Sequence, residues 1–223
     1  AIAMPWVDEV SAILETWLGG QAGAGAIADT LFGKVNPSGK LAETFPKRLE
    51  DSPAFINFPG EDGQVIYGER MFVGYRYFDK LNIEPLFPFG HGLSYTDFSY
   101  SDLKLSATDI TDKDQLEVSL TLTNTGKRTG KEVVQLYVVD TESTLQRPVK
   151  ELKAFDKIEL APGESKQVSF VLSLRDFSYY SKQYDRWLAE SGEFEILVGS
   201  SSRDMRLNGS LTLTNTEELN YKM

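Results

Sequence analysis

Two rhythms of apolar and polar positions divide the chain. From Phe98 onward apolar residues recur at every second position. Leu116, Val118, Leu120 and Leu122 alternate with Glu117, Ser119, Thr121 and Thr123, and Phe194, Ile196 and Val198 repeat the pattern. Period-two alternation marks a strand with one buried face. Seven such runs are legible, at 98–105, 115–124, 131–140, 150–160, 166–173, 192–200 and 205–214. The turn signals Asn124-Thr125-Gly126, Ala161-Pro162-Gly163-Glu164 and Ser191-Gly192 separate some of them. This number of strands in about 115 residues suits an immunoglobulin-like or fibronectin type III sandwich.

Before Phe98 the rhythm is different. Val7, Val10, Ile13, Leu14, Trp17 and Leu18 fall at helical spacing after Pro5 and before Gly19-Gly20, which predicts an amphipathic helix over 7–18. The stretch QAGAGAIADTLFG predicts a second helix with Ala24, Ile27, Ala28 and Leu31 inward, ended by Gly33. A turn at Asn36-Pro37-Ser38-Gly39 leads into a short strand from Leu41 to Phe45. Helix, turn and strand in this order suggest the end of an α/β layer structure, too small to stand alone because the strand's edges lack partners. Residues 46–96 carry little regular pattern but many aromatics. Phe55, Phe58, Tyr67, Phe72, Tyr75, Tyr77, Phe78, Phe87 and Phe89 are expected to bury against something, unlike a solvated linker. Within them RMFVGYRYF predicts a short helix or strand. The fold class is therefore an α/β segment, the end of an α/β sandwich, followed by an all-β sandwich.

Composition narrows the chemistry. A formal net charge of −10 over 223 residues opposes phosphate backbones, so no nucleic-acid partner is expected. Absence of cysteine removes disulfides, thiol catalysis and thiolate metal sites, and a single histidine removes multi-histidine metal sites. No metal and no cofactor are expected. No apolar run approaches the roughly 20 residues that span a bilayer, so no membrane partner is expected. AIAMPWVDEVSA lacks a basic start and a sustained apolar stretch, and reads as mid-domain sequence.

Few residues invite a catalytic reading. Asp8/Glu9 and Glu61/Asp62 read as solvated neighbours. Glu69 sits among Tyr67, Arg70 and several aromatics. That setting suits either a general acid of raised pKa or, the preferred reading, an ion pair with Arg70 or Arg76 that pins a joint. His91 lies in LFPFGHGLSYT between Gly90 and Gly92. The glycines point to a backbone that side chains would obstruct, and no Ser-x-Gly elbow lies near, so His91 reads as structural. The glycine run Gly19–Gly25 follows a helix and lacks a Lys-Ser/Thr ending, which argues against phosphate binding. Trp17, Trp187, Tyr179, Tyr180 and Tyr184 are candidates for stacking on sugar rings, although such aromatics more often fill cores. Asn208-Gly209-Ser210 has the form of an N-glycosylation acceptor.

Taken together, three long segments resemble family 3 glycoside hydrolases, the β-glucosidase and β-xylosidase group. WLGGQAGAGAIADTLFGKVNPSGKLAETFP resembles the family's W-x-x-G-Q-x-x-G-x-A-x-A-D-x-L-x-G-x-x-N-P-S-G-K-L segment. VIYGERMFVGYRYFD resembles its Y-x-E-G-x-x-V-G-Y-R-Y-Y-D, and LFPFGHGLSYTDF its P-L-F-P-F-G-x-G-L-S-Y-T-x-F. Where the family has Glu-Gly, this chain has Glu69-Arg70. The resemblance implies a division into residues 1–50 (C-terminal part of an α/β sandwich domain), 51–96 (aromatic interdomain linker), 97–217 (fibronectin type III-like sandwich) and 218–223 (tail). It implies that Tyr67, Glu69, Arg76, Phe89 and His91 form a structural joint. It also implies retaining, exo-acting hydrolysis of terminal β-glucosyl residues by two carboxylates about 5–5.5 Å apart. The family's nucleophilic Asp motif and acid/base Glu motif are both absent here, and Ser191-Gly192-Glu193-Phe194 is only a partial echo of the latter. No catalytic residue is thus assigned in this chain, Glu69 being the one residual candidate. The implied partners are an upstream (β/α) barrel with the rest of the α/β sandwich, β-glucosides or cello-oligosaccharides, and a homodimer contact. The sandwich is expected to supply support, with outer-subsite or oligomer contacts as a further role. A non-catalytic carbohydrate-binding or adhesion module is the alternative.

Overall fold

Alternation in the second half of the chain resolves into two facing sheets. The computed structural model describes residues 1–215. All seven expected strands form, as β1 (Phe98–Leu105), β3 (Leu116–Asn124), β4 (Gly130–Asp140), β5 (Glu151–Leu160), β6 (Ser165–Leu172), β9 (Gly192–Ser201) and β10 (Asp204–Thr214). Three strands of three residues each had no legible period: β2 (Asp109–Thr111), β7 (Tyr179–Ser181) and β8 (Arg186–Leu188). One sheet runs β1-β3-β6, the other β2-β10-β9-β4-β5, and β7-β8 form a separate hairpin. Every pairing is antiparallel except β2 with β10. Leu116, Val118, Leu120 and Leu122 of β3 face Leu136 and Val138 of β4 and Phe194, Ile196 and Val198 of β9, all buried in one apolar core. This is the packing of a β-sandwich, two antiparallel faces sharing alternating side chains.

Asn124 closes one end of that core without leaving a polar atom idle. Its side chain is fully buried. Nδ2 donates to the Arg128 and Leu160 carbonyls at 2.7 and 3.0 Å, while Oδ1 accepts from Thr96 Oγ1 at 2.7 Å and Gly126 N at 3.1 Å. A buried amide is tolerated only when satisfied in this way.

The first 96 residues depart from expectation in two respects. The second helix forms as α1 (Gly23–Leu31). The first does not: Val7–Glu9 make one 3₁₀ turn, and the chain then runs on irregularly. Val10, Ile13, Leu14, Trp17 and Leu18 are all exposed. An amphipathic stripe with nothing to bury against gains little, and a helix this short is marginal in water. Aromatic burial in 46–96 is also uneven. Phe55, Phe58 and Tyr67 are exposed, whereas Phe78 is buried and Tyr75, Phe87 and Phe89 are half-buried. RMFVGYRYF supplies the start of a short helix, α2 (Tyr75–Lys80). The expected strand over 41–45 is an extended ribbon bonded to 86–91. Phe45 bridges Phe87, and Leu41 exchanges backbone bonds with Gly90 and His91.

Candidate functional site

The segment from Tyr75 to Thr96 lies on the sandwich and is held there by several kinds of contact. Tyr75 stacks on Phe89 with ring centroids 5.2 Å apart and meets Tyr137 of β4 edge-on at 5.9 Å, while its hydroxyl accepts from Leu152 N at 2.9 Å. Gln135 of β4 donates from Nε2 to the carbonyls of Gly90 (3.3 Å) and Ser200 (2.6 Å), and its Oε1 accepts from the Tyr137 hydroxyl at 2.6 Å. Gly90 has φ +80°, a left-handed backbone that favours glycine, and a Cβ there would stand 2.3 Å from Gln135 Oε1 and push that side chain off its bonds. Ser202 N donates to the Phe89 carbonyl at 2.9 Å.

Ionic contacts reinforce the joint. Asp79 of α2, its side chain 4% exposed, bonds Lys150 and receives Arg203 Nε at 2.8 Å. Arg203 also donates to the Ile83 carbonyl at 3.0 Å. Lys40 pairs with Glu132 of β4 at 3.2 Å and donates to the Gly92 carbonyl at 2.9 Å. Glu132 accepts from the Tyr100 hydroxyl at 2.9 Å, and burial first, then the Glu132 charge, push that hydroxyl's pKa far up. Asn36 ties the earlier segment in, donating to the Thr129 carbonyl and accepting from Ser94 Oγ and Tyr95 N.

Of the residues singled out from sequence, Arg76, Phe89 and His91 lie at this contact. His91 is half-buried and its ring stacks on Phe87 with centroids 5.5 Å apart and planes 16° from parallel. Burial, then the Lys40 charge, lower its pKa below the usual imidazole value. A depressed folded-state pKa means that stability is fully present above the unfolded value near 6.5 and falls as the solution is acidified through the folded one. The protein is therefore expected to lose stability on going from pH 8 to pH 5, and His91→Asn to remove part of that loss. Equal losses in both, measured by urea midpoints, would refute the assignment.

Tyr67 and Glu69 are not brought to the same place. Tyr67 is exposed. Glu69 is half-buried, and its Oε2 is shielded with no hydrogen-bond partner among the described residues. Its expected partner Arg76 pairs instead with Glu151, at 3.4 Å. Arg70 contributes a left-handed backbone, φ +56°, rather than a charge to Glu69. Glu69 forms no ion pair among the described residues, so the anticipated pin is absent. The echo Ser191-Gly192-Glu193-Phe194 is simply the entry to β9, with Phe194 in the core.

Sequence reasoning missed a second charged cluster, beside α3 (Leu174–Phe177). Arg147 reaches Asp140 at 2.7 Å, Glu151 at 2.9 Å and the Phe177 carbonyl at 3.1 Å. Burial alone would raise the Glu151 carboxyl, but Lys153, Arg147 and Arg76 outweigh it and hold the pKa below the usual carboxylate value. The only early signal was the dense charge of RPVKELK; its convergence with α3 and the β7-β8 hairpin is a product of the fold. Among the described residues no group of three or more His, Asp or Glu is placed to hold a metal ion.

Comparison with known proteins accounts for most of the chain. Residues 1–95 match the glycosyl hydrolase family 3 C-terminal domain, and residues 132–202 match a fibronectin type III-like domain. Thermostable beta-glucosidase B of Acetivibrio thermocellus is 56% identical over 218 residues, which is 98% of this chain and 29% of that protein. Probable beta-glucosidase I of Aspergillus oryzae is 48% identical over 88% of this chain and 24% of its own length. The crystal structure of the Bifidobacterium adolescentis family 3 beta-glucosidase superposes with a TM-score of 0.89 at 41% identity, covering 98% of this chain and 33% of that one. That of the Kluyveromyces marxianus beta-glucosidase in complex with glucose gives 0.89 at 44% identity, covering 95% and 25%. The chain thus spans between about a quarter and a third of the proteins it matches.

Proposed function

We propose that this chain, which belongs to glycoside hydrolase family 3 and corresponds to that family's C-terminal region, is the structural support of a retaining, exo-acting β-glucosidase. The carrying observation is the surface of residues 1–73. Leu18, Phe32 and Ile56 are exposed at 102%, 87% and 92%, and Trp17, Phe58 and Val73 lie open as well. So much exposed apolar surface within one stretch marks a face made for another protein surface. This surface fits docking against an upstream (β/α) barrel and the remainder of the α/β sandwich, where the nucleophilic Asp and acid/base Glu would reside. Substrates in this reading are β-glucosides or cello-oligosaccharides. The accompanying division is 1–50, 51–96, 97–217 and a tail at 218–223, the last lying outside the described residues.

Two expected results test this. Produced alone, the 223-residue chain associates into mixed oligomers on size exclusion and hydrolyses no aryl β-glucoside; a monodisperse 25.0 kDa species that turns over substrate would overturn the proposal. In the full-length protein, Glu69→Gln leaves kcat on that substrate within about threefold. Loss of a general acid costs on the order of 10²–10⁴-fold, and a fall of that size would make Glu69 catalytic after all.

A further inference from the structure

A groove of about 360 Å³ opens between the linker, the start of β5 and the α3–β7–β8 corner, within the size range of small-molecule sites. Arg76, Glu151, Lys153, Arg175, Tyr180 and Trp187 are among the residues that line it. Three cationic heads converge on one lining carboxylate: Arg147 at 2.9 Å, Arg76 at 3.4 Å and Lys153 at 3.6 Å from Glu151. Arg147 is completed by Asp140, but Arg76 and Lys153 share what remains. Asp176 is taken up by its own helix start, accepting from Ser173 N at 2.8 Å and Ser173 Oγ at 3.0 Å. Arg175 has no ion pair among the described residues; its guanidinium lies 3.0 Å from the centre of the Trp187 ring. Four cations therefore face three carboxylates, an excess of one positive charge in a chain whose net charge is −10.

We propose that this groove binds a sugar bearing a single carboxylate, a uronic acid or an oligosaccharide ending in one. The carboxylate takes the place between Arg76, Lys153 and Arg175 that the protein's own acids leave unfilled, through charge-assisted hydrogen bonds. The sugar ring lies along Tyr180, which is 46% exposed and meets Trp187 edge to face at 5.5 Å, while Arg175 covers a face of Trp187. Asp176 accepts both of its helix-start bonds at Oδ2, which leaves Oδ1 to accept from a ring hydroxyl. This proposal does not rest on the catalytic one.

The test is calorimetric titration of the full-length protein with D-glucuronic acid, beside glucose and inorganic phosphate. Glucuronate is expected to bind, to weaken by about tenfold or more in Lys153→Gln/Arg175→Gln, and to weaken with added salt. Any glucose binding is expected to be unchanged in that variant. Should the double variant fail to fold, the exposed Arg175→Gln alone carries the comparison. No glucuronate binding, binding unaffected by the substitutions, or displacement of glucuronate by equimolar phosphate would each overturn the proposal, as would an acidic peptide binding in its place. Hydrolysis of the aryl glucoside, followed separately, reports on the catalytic reading alone.

Discussion

Asp79→Ala is expected to weaken the docking of 75–91 on the sandwich by about 3–5 kcal/mol, the range for breaking one side of a buried ion pair. The Asp79 side chain is 4% exposed, and it is the acid shown against Lys150, which is itself 10% exposed. Removing the carboxylate leaves the Lys150 ammonium buried without its counter-charge and releases Arg203 as well. The cost is that of an uncompensated charge rather than of the pair itself. Asp79→Leu combined with Lys150→Met should therefore recover most of the loss. Hydrogen exchange gives the local readout. The Ile83 amide, bonded to the Phe78 carbonyl at 2.9 Å, should exchange on the order of 10²–10³-fold faster in the single variant. A change under tenfold would mean that the ring contacts of Tyr75 and Phe89 hold the joint without this clamp.

Phe194→Ala is expected to cost about 3–5 kcal/mol in the sandwich itself. Phe194 is fully buried on β9, which lies between β10 and β4, and its ring meets Phe177 of α3 edge to face at 5.2 Å. Truncation leaves a cavity between the two sheets and removes the surface on which α3 rests. Phe194→Leu, nearer in volume, should cost roughly 1.5 kcal/mol or less. The comparison is the urea midpoint of the sandwich transition, and near-equal midpoints for the two variants would show that the core collapses to fill the space. The same substitution should loosen the Arg147 network, because Arg147 donates to the Phe177 carbonyl.

What was legible in the sequence follows from where burial is local. Leu116 to Leu122 declare their strand because every second residue faces the same core, and the other long strands read equally well. The β7-β8 hairpin did not, since three residues carry no period. The 7–18 stripe was read correctly as apolar at helical spacing but wrongly as a helix, because its apolar positions stay exposed and a helix of that length gains too little without burial. The tight backbone around His91 was legible from Gly90, whose left-handed conformation favours glycine, and from Gly92, where another stretch of backbone approaches closely. A Cβ on Gly92 would stand 2.4 Å from the Gly39 carbonyl. The Glu69–Arg76 pin was not, because proximity in sequence concealed that Glu151, 75 positions on from Arg76, offered the better carboxylate. The cluster around Glu151 was invisible for the same reason: its members come from the linker, β5, α3 and β8.

Part of this contact is made through the main chain of residues 83–90. Gln135, Ser202 and Arg203 on the sandwich donate to the carbonyls of Gly90, Phe89 and Ile83. A carbonyl is the same whichever side chain accompanies it, so these three bonds fix the path of the backbone, while Tyr75, Asp79, Phe89 and Gly90 hold it through their own rings, charge and conformation. The sandwich therefore behaves as a socket that accepts one backbone path, and a segment of different sequence would seat in it only if it kept those four residues.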